Sequence, residues 1–221
     1  VSVVDGVAAP LVIKICGVTT LEDARLTLAL GADAVGINLI PSSKRAVPLE
    51  EALKIFHALD QPESVVFVVA DLLESELRIL RKRVGSAWLQ LHGSEAESAL
   101  QSMLPRAYKA VPIGSAADAA SAALWPGERL LVDAKVGAAF GGTGAVFDWS
   151  LVTALASKRR LIVAGGLHAE NVAQAINTVR PFGVDVASGV EVKGLPRTKD
   201  PARIERFIQA ARQAAGLAAI L

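Results

Sequence analysis

The chain has a single cysteine, a single methionine and a single tyrosine among its 221 residues, and aromatic residues make up only 5% of it. One cysteine excludes an internal disulfide and any cysteine-rich metal centre. There are three histidines, none at ligand spacing from another or from the cysteine, so neither a metal nor a cofactor is expected. No Gly-x-Gly-x-x-Gly follows the first apolar run, which argues against a dinucleotide-binding domain. An excess of charge of one sign is also missing. Lys and Arg total 23 against 22 Asp and Glu, a net charge of +1, and this leaves no electrostatic footprint for nucleic acid. No apolar run approaches the roughly 20 residues that a membrane helix requires. Residues 1–10 carry Asp5 and no basic residue, unlike the start of a signal peptide. They are read as a lead-in to a single domain over residues 11–221, and the protein is expected to be cytoplasmic, with no nucleic-acid or membrane partner.

What the chain has is aliphatic bulk. Hydrophobic residues make up 52%, mostly Val, Leu, Ile and Ala, which suits buried parallel strands covered by helices. Strand-like runs fall at 11–15, 34–40, 64–70, 87–91, 107–111, 129–132, 161–164 and 183–187. Amphipathic, helix-like stretches alternate with them at 21–30, 49–59, 74–84, 95–103, 116–124, 149–156, 169–178 and 201–215. Thr19 with Glu22 reads as a capping box, and Pro48 and Pro201 stand at first helical turns. Eight strand–helix units in one domain predict a (β/α)8 barrel of the TIM type. An open doubly wound sheet is the competitor, and eight is the closure number.

Catalytic groups of such barrels gather at the carboxyl ends of the strands. In the first run Val12, Lys14 and Cys16 share one face, and Leu11, Ile13 and Ile15 the other. The aliphatic face should meet helices, so Lys14 and Cys16 should point inward. By the same parity Gln90 pairs with His92 in the fourth run and Leu131 with Asp133 in the sixth. Cys16 is either a small buried hydrophobe or a reactive thiol, and a nearby Lys14 would favour its thiolate. Asp133 ends an apolar strand, a costly place for a carboxylate unless it is paired or functional. In a partly dry site its pKa would rise and it could serve as an acid near neutrality.

Three glycine-containing turns follow the late strands: Gly141-Gly142-Thr143-Gly144, Ala164-Gly165-Gly166-Leu167 and Ala187-Ser188-Gly189-Val190. Backbone N–H groups after the seventh and eighth strands form the usual phosphate cradle of this fold, which points to a phosphorylated small molecule. Arg45, in the loop after the second strand, is either a solvated basic residue or a fork for a substrate carboxylate. His92 is either a structural histidine or part of the site.

In order along the chain, Lys14-Ile15-Cys16-Gly17, Gly31-Ala32-Asp33-Ala34, Pro41 to Arg45, Gln90-Leu91-His92-Gly93, Val132-Asp133-Ala134, Gly141 to Gly144, Ala164 to Leu167 and Gly183-Val184-Asp185-Val186 with Ser188-Gly189-Val190-Glu191 resemble the phosphoribosylanthranilate isomerases of tryptophan biosynthesis. The resemblance covers Lys14 to Asp200. It implies a (β/α)8 barrel that carries out an Amadori rearrangement of N-(5-phosphoribosyl)anthranilate. Asp133 then matches the general acid and Cys16 the general base. Arg45 matches the holder of the anthranilate carboxylate. Amides near Gly142, Gly166, Ser188 and Gly189 match the phosphate site, and Asp185 and His92 match other substrate-binding positions. The segment Asn38-Leu39-Ile40 departs from the aromatic-rich stretch of many relatives, and the turn from Val192 to Lys199 is expected to lie outside the chemistry.

The related isomerase of histidine biosynthesis is the nearest rival, with a carboxylate where Cys16 stands. Cys16 and Arg45 argue against it. A silent barrel that only binds a sugar phosphate is disfavoured by the intact acid and base positions. A monomer is expected, with a homodimer as the alternative.

Overall fold

The computed structural model describes residues 10–134 and 147–216. Eight parallel strands close into a barrel in sequence order: β1 (Val12–Cys16), β2 (Ala34–Asn38), β3 (Val65–Val69), β4 (Trp88–Leu91), β5 (Ala107–Ile113), β6 (Arg129–Ala134), β7 (Arg160–Val163) and β8 (Gly183–Val186). The helices α1 (Leu21–Ala29), α2 (Leu49–His57), α3 (Glu74–Val84), α4 (Glu97–Gln101), α5 (Ala116–Ala122), α6 (Thr153–Ala156), α7 (Val172–Val179) and α8 (Pro201–Ala214) alternate with them. A 3₁₀ turn, Trp149–Val152, leads into α6, and another, Ser188–Val190, follows β8. The closed sheet removes the doubly wound alternative.

Strand parity sorts the side chains as the alternation requires. Ile13 and Ile15 of β1 join Leu130, Val132, Leu161 and Val184 in the layer between strands and helices. Inside the barrel, Val66, Tyr108, Ala110, Leu131, Ile162 and Ala164 form a separate small cluster. Lys14 is also inside, 2% exposed, in register with Asp185 on the neighbouring strand. A buried ammonium requires partners. Lys14 Nζ donates to Asp185 Oδ2 at 2.8 Å and to Gln90 Oε1 at 3.0 Å. Gly36 of β2 faces this cluster. A Cβ there would fall 2.7 Å from Cys16 Sγ and 3.0 Å from Lys14 Cε, so only glycine leaves room for both.

Three local expectations are corrected. The N-cap of α1 is Thr20, whose hydroxyl accepts from the Asp23 N–H. Thr19 instead donates to the Arg197 carbonyl, so the Thr19–Glu22 capping box does not form. Helix α4 begins two residues later than the apolar pattern predicts. Glu95 is drawn out of it, accepting from the N–H groups of Asp71 and Gly93 and from Lys109 Nζ at 3.0 Å. Pro201 stands at the start of α8 as expected, behind the Asp200 cap, while Pro48 is the residue just before α2.

Candidate active site

One pocket opens at the carboxyl ends of the strands. Cys16, Arg45, His92, Asp133, Gly166, Asp185 and Ser188 all line it, together with Asn38 and Gln90. The sequence-predicted residues among the described ones therefore converge, with one exception. Gly189 sits behind the wall, where a Cβ would fall 2.0 Å from the Leu167 carbonyl oxygen. Its role is to let the turn after β8 pack on the loop after β7. Gly142 lies outside the described residues.

Cys16 ends β1 and keeps part of its surface on the pocket. The positive charge of Lys14 favours the thiolate. Burial outweighs it, and the thiol titrates above its ordinary value. Lys14 thus acts in the expected direction, but burial sets the net shift in the free protein. Lys14 stays charged: burial opposes its charge, but Asp185, Cys16 and Tyr108 more than offset that.

Asp133, at the end of β6, is 9% exposed. Burial pushes its pKa up to about 6, against the hydrogen bond its Oδ1 accepts from the Ala134 N–H at 2.7 Å. It is a carboxyl that can hold a proton near neutrality. His92 Nε2 lies 3.9 Å from Asp133 Oδ2, and His92 Nδ1 lies 2.9 Å from Gln90 Nε2. Burial, helped by the charges of Lys109 and Lys14, pulls the His92 pKa down to about 4, so the ring is neutral at pH 7.

Arg45 is not a solvated loop residue. Its Nε and Nη2 hold both oxygens of Glu191 at 2.6 and 2.7 Å. Glu191 also accepts from Lys199 Nζ at 3.2 Å, and Lys199 donates to the carbonyls of Cys16 (2.7 Å) and Ala187 (3.1 Å). No residue from Val192 to Lys199 lines the pocket, but Lys199 ties the end of β1, the end of β8 and the Arg45 loop together. Asn38 shapes that loop, accepting from the Ile40 N–H and donating to Ser43 Oγ. Asp185 Oδ1 is buried without a hydrogen-bond partner among the described residues and belongs to a pocket-lining side chain, so it offers an acceptor to a ligand.

Gly166 and Ser188 bring the loops after β7 and β8 to one side of the pocket, with a short 3₁₀ turn starting at Ser188. This is the place where barrels of this kind hold phosphate. The pocket thus has an acid-competent carboxyl, a thiol beside an ammonium, an arginine, and a backbone-lined corner. Sequence reading missed the parts played by Gln90, Tyr108, Glu191 and Lys199. Only the inward parity of Gln90 gave a local signal.

The family model for N-(5'-phosphoribosyl)anthranilate (PRA) isomerase matches residues 13–210. Among curated proteins, the chain is 38% identical over 202 residues to N-(5'-phosphoribosyl)anthranilate isomerase of Magnetococcus marinus, covering 91% of this chain and 95% of that protein. It is 41% identical over 203 residues to the enzyme of Pseudomonas fluorescens, covering 90% and 95%. Among solved structures, phosphoribosyl anthranilate isomerase from Thermotoga maritima superposes with a TM-score of 0.82 at 35% identity, covering 92% of this chain and 99% of that one. A phosphoribosyl anthranilate isomerase in complex with reduced 1-(o-carboxyphenylamino)-1-deoxyribulose 5-phosphate gives 0.79 at 34% identity, with the same coverage.

Proposed function

The chain belongs to the N-(5'-phosphoribosyl)anthranilate isomerase family, and from that premise we propose how its own residues carry the reaction. The enzyme converts N-(5-phosphoribosyl)anthranilate to 1-(2-carboxyphenylamino)-1-deoxyribulose 5-phosphate, an Amadori rearrangement in tryptophan biosynthesis. Asp133 is the general acid. It gives its proton to the furanose ring oxygen, the C1′–O4′ bond breaks, and the nitrogen lone pair forms the iminium. Cys16, as thiolate, is the general base. It takes the C2′ proton, the electrons of the C–H bond neutralise the iminium, and the enolamine becomes the ketone as C1′ gains a proton.

The observation that carries this reading is that Asp133 and Cys16 face one pocket from non-adjacent strands, one with a raised carboxyl pKa and the other beside a buried ammonium. Gly166 and Ser188 take the phosphate end, with Gly189 setting the turn behind them. Arg45, aimed by Glu191, takes the anthranilate carboxylate through the N–H groups that have no partner among the described residues. Asp185 Oδ1 accepts from a sugar hydroxyl. The working unit is a monomer on this reading, supported by the dimeric T. maritima relative having also been solved as monomers generated from it. A cytoplasmic location accompanies the reading, since the substrate is a charged phosphate ester.

The test is turnover of freshly generated substrate, followed by its anthranilate-type fluorescence. Asp133→Asn and Cys16→Ser should each lower kcat by about 10²–10⁴-fold with little change in KM. Normal turnover by Asp133→Asn would remove the acid assignment.

A further inference from the structure

Gln90 is 1% exposed and has no part in the steps above, yet it is the link between the base side of the pocket and the acid side. Its Oε1 accepts from Lys14 Nζ at 3.0 Å and from Tyr108 Oη at 3.1 Å. An ammonium has no lone pair, so the amide oxygen must face Lys14 and the amide nitrogen must face His92, 2.9 Å from Nδ1. An amide NH₂ only donates, so Nδ1 accepts, and a neutral ring then carries its proton on Nε2. That N–H faces Asp133 Oδ2 across 3.9 Å, too far for a direct hydrogen bond. One oxygen atom fits between them, within about 2.9 Å of each.

We propose that Gln90 is a positioning residue that holds neutral His92 in its Nε2–H form, so that His92 and protonated Asp133 converge as donors on the sugar ring oxygen. This rests on the assignment of Asp133 as the acid. Asp133 transfers its proton to O4′ as the C1′–O4′ bond breaks, and the bonding electron pair stays on O4′. His92 keeps its proton throughout and stabilises the charge that develops on that oxygen. A neutral imidazole is suited to such electrophilic assistance. Among the described residues the charged groups around the ring are Lys109, Lys14 and Asp133, and burial, helped by the two ammonium groups, keeps it from becoming imidazolium. A carboxylate at position 90 would instead accept from Nδ1–H and turn Nε2 into an acceptor facing the acid.

The first readout needs no variant: the tautomer of His92 in ¹⁵N-histidine-labelled wild-type protein at neutral pH, assigned by its loss in His92→Gln. The Nε2–H form is expected, and the Nδ1–H form would overturn the proposal. In kinetics, Gln90→Glu should move the proton to Nδ1 and lower kcat about 10²-fold with KM within about twofold. Gln90→Met, which leaves the charge unchanged, should mix the tautomers and lower kcat by a smaller factor. Wild-type kcat in Gln90→Glu, beside the expected loss in Asp133→Asn, would overturn this proposal alone. Normal turnover in Asp133→Asn would instead overturn the acid assignment beneath it.

Discussion

At the scale of single residues, the acid and the base of the proposed reaction are poised the opposite way from their working forms. Burial raises both pKa values, Asp133 to about 6 and Cys16 above its ordinary value. Catalysis needs Asp133 protonated and Cys16 ionised. Between the two pKa values the free enzyme holds mainly a carboxylate and a thiol, and the productive form is a minority with the same total number of protons. Its fraction is constant across that window. Below about pH 6 a second proton arrives and the thiolate is lost; above the thiol pKa the acid's proton is lost. The expected kcat/KM profile is therefore a broad plateau, with an acid limb near pH 6 that disappears in Asp133→Asn and an alkaline limb that reports Cys16. A profile that falls as pH rises from 6 to 8 would contradict this arrangement. Both residues were legible in the sequence, because each is a reactive group at the inward end of an apolar run. The balance between burial and Lys14 at Cys16 was not, since it depends on how completely the barrel closes over both.

At the scale of elements, the site is held by contacts between segments far apart in the chain. Glu191 lies 146 positions from Arg45, and Lys199 lies 183 from Cys16. No local pattern could announce either pair. For the same reason the choice between Thr19 and Thr20 as the cap of α1 was not readable: the Arg197 carbonyl, 178 positions away, takes the Thr19 hydroxyl. Helix positions themselves were readable from spacing, while their ends differ by a few residues, at α4 because Glu95 has other partners. Glu191 is the anion between two enclosed cations, with Glu191 5% and Lys199 3% exposed. Glu191→Gln leaves Arg45 and Lys199 facing each other unneutralised. Denaturant unfolding should show a loss of about 3–5 kcal/mol, the usual cost of breaking a buried ion pair from one side. Unchanged stability would mean that this cluster does not tie the three segments together.

At the scale of the whole molecule, eight alternations of strand and helix in an aliphatic chain with no dinucleotide fingerprint were enough to indicate the barrel. Closure then follows from the strand count and brings the ends of β1, β6 and β8 to one rim. The division of labour across that rim is the central claim: Asp133 opens the ring and Cys16 then removes the C2′ proton. The most direct test is the kinetic isotope effect on kcat for substrate deuterated at C2′, measured in wild type, Cys16→Ser and Asp133→Asn. The effect should be larger in Cys16→Ser than in Asp133→Asn, because the first change makes C–H cleavage limiting and the second makes ring opening limiting. An effect that vanishes in Cys16→Ser and grows in Asp133→Asn would contradict the account.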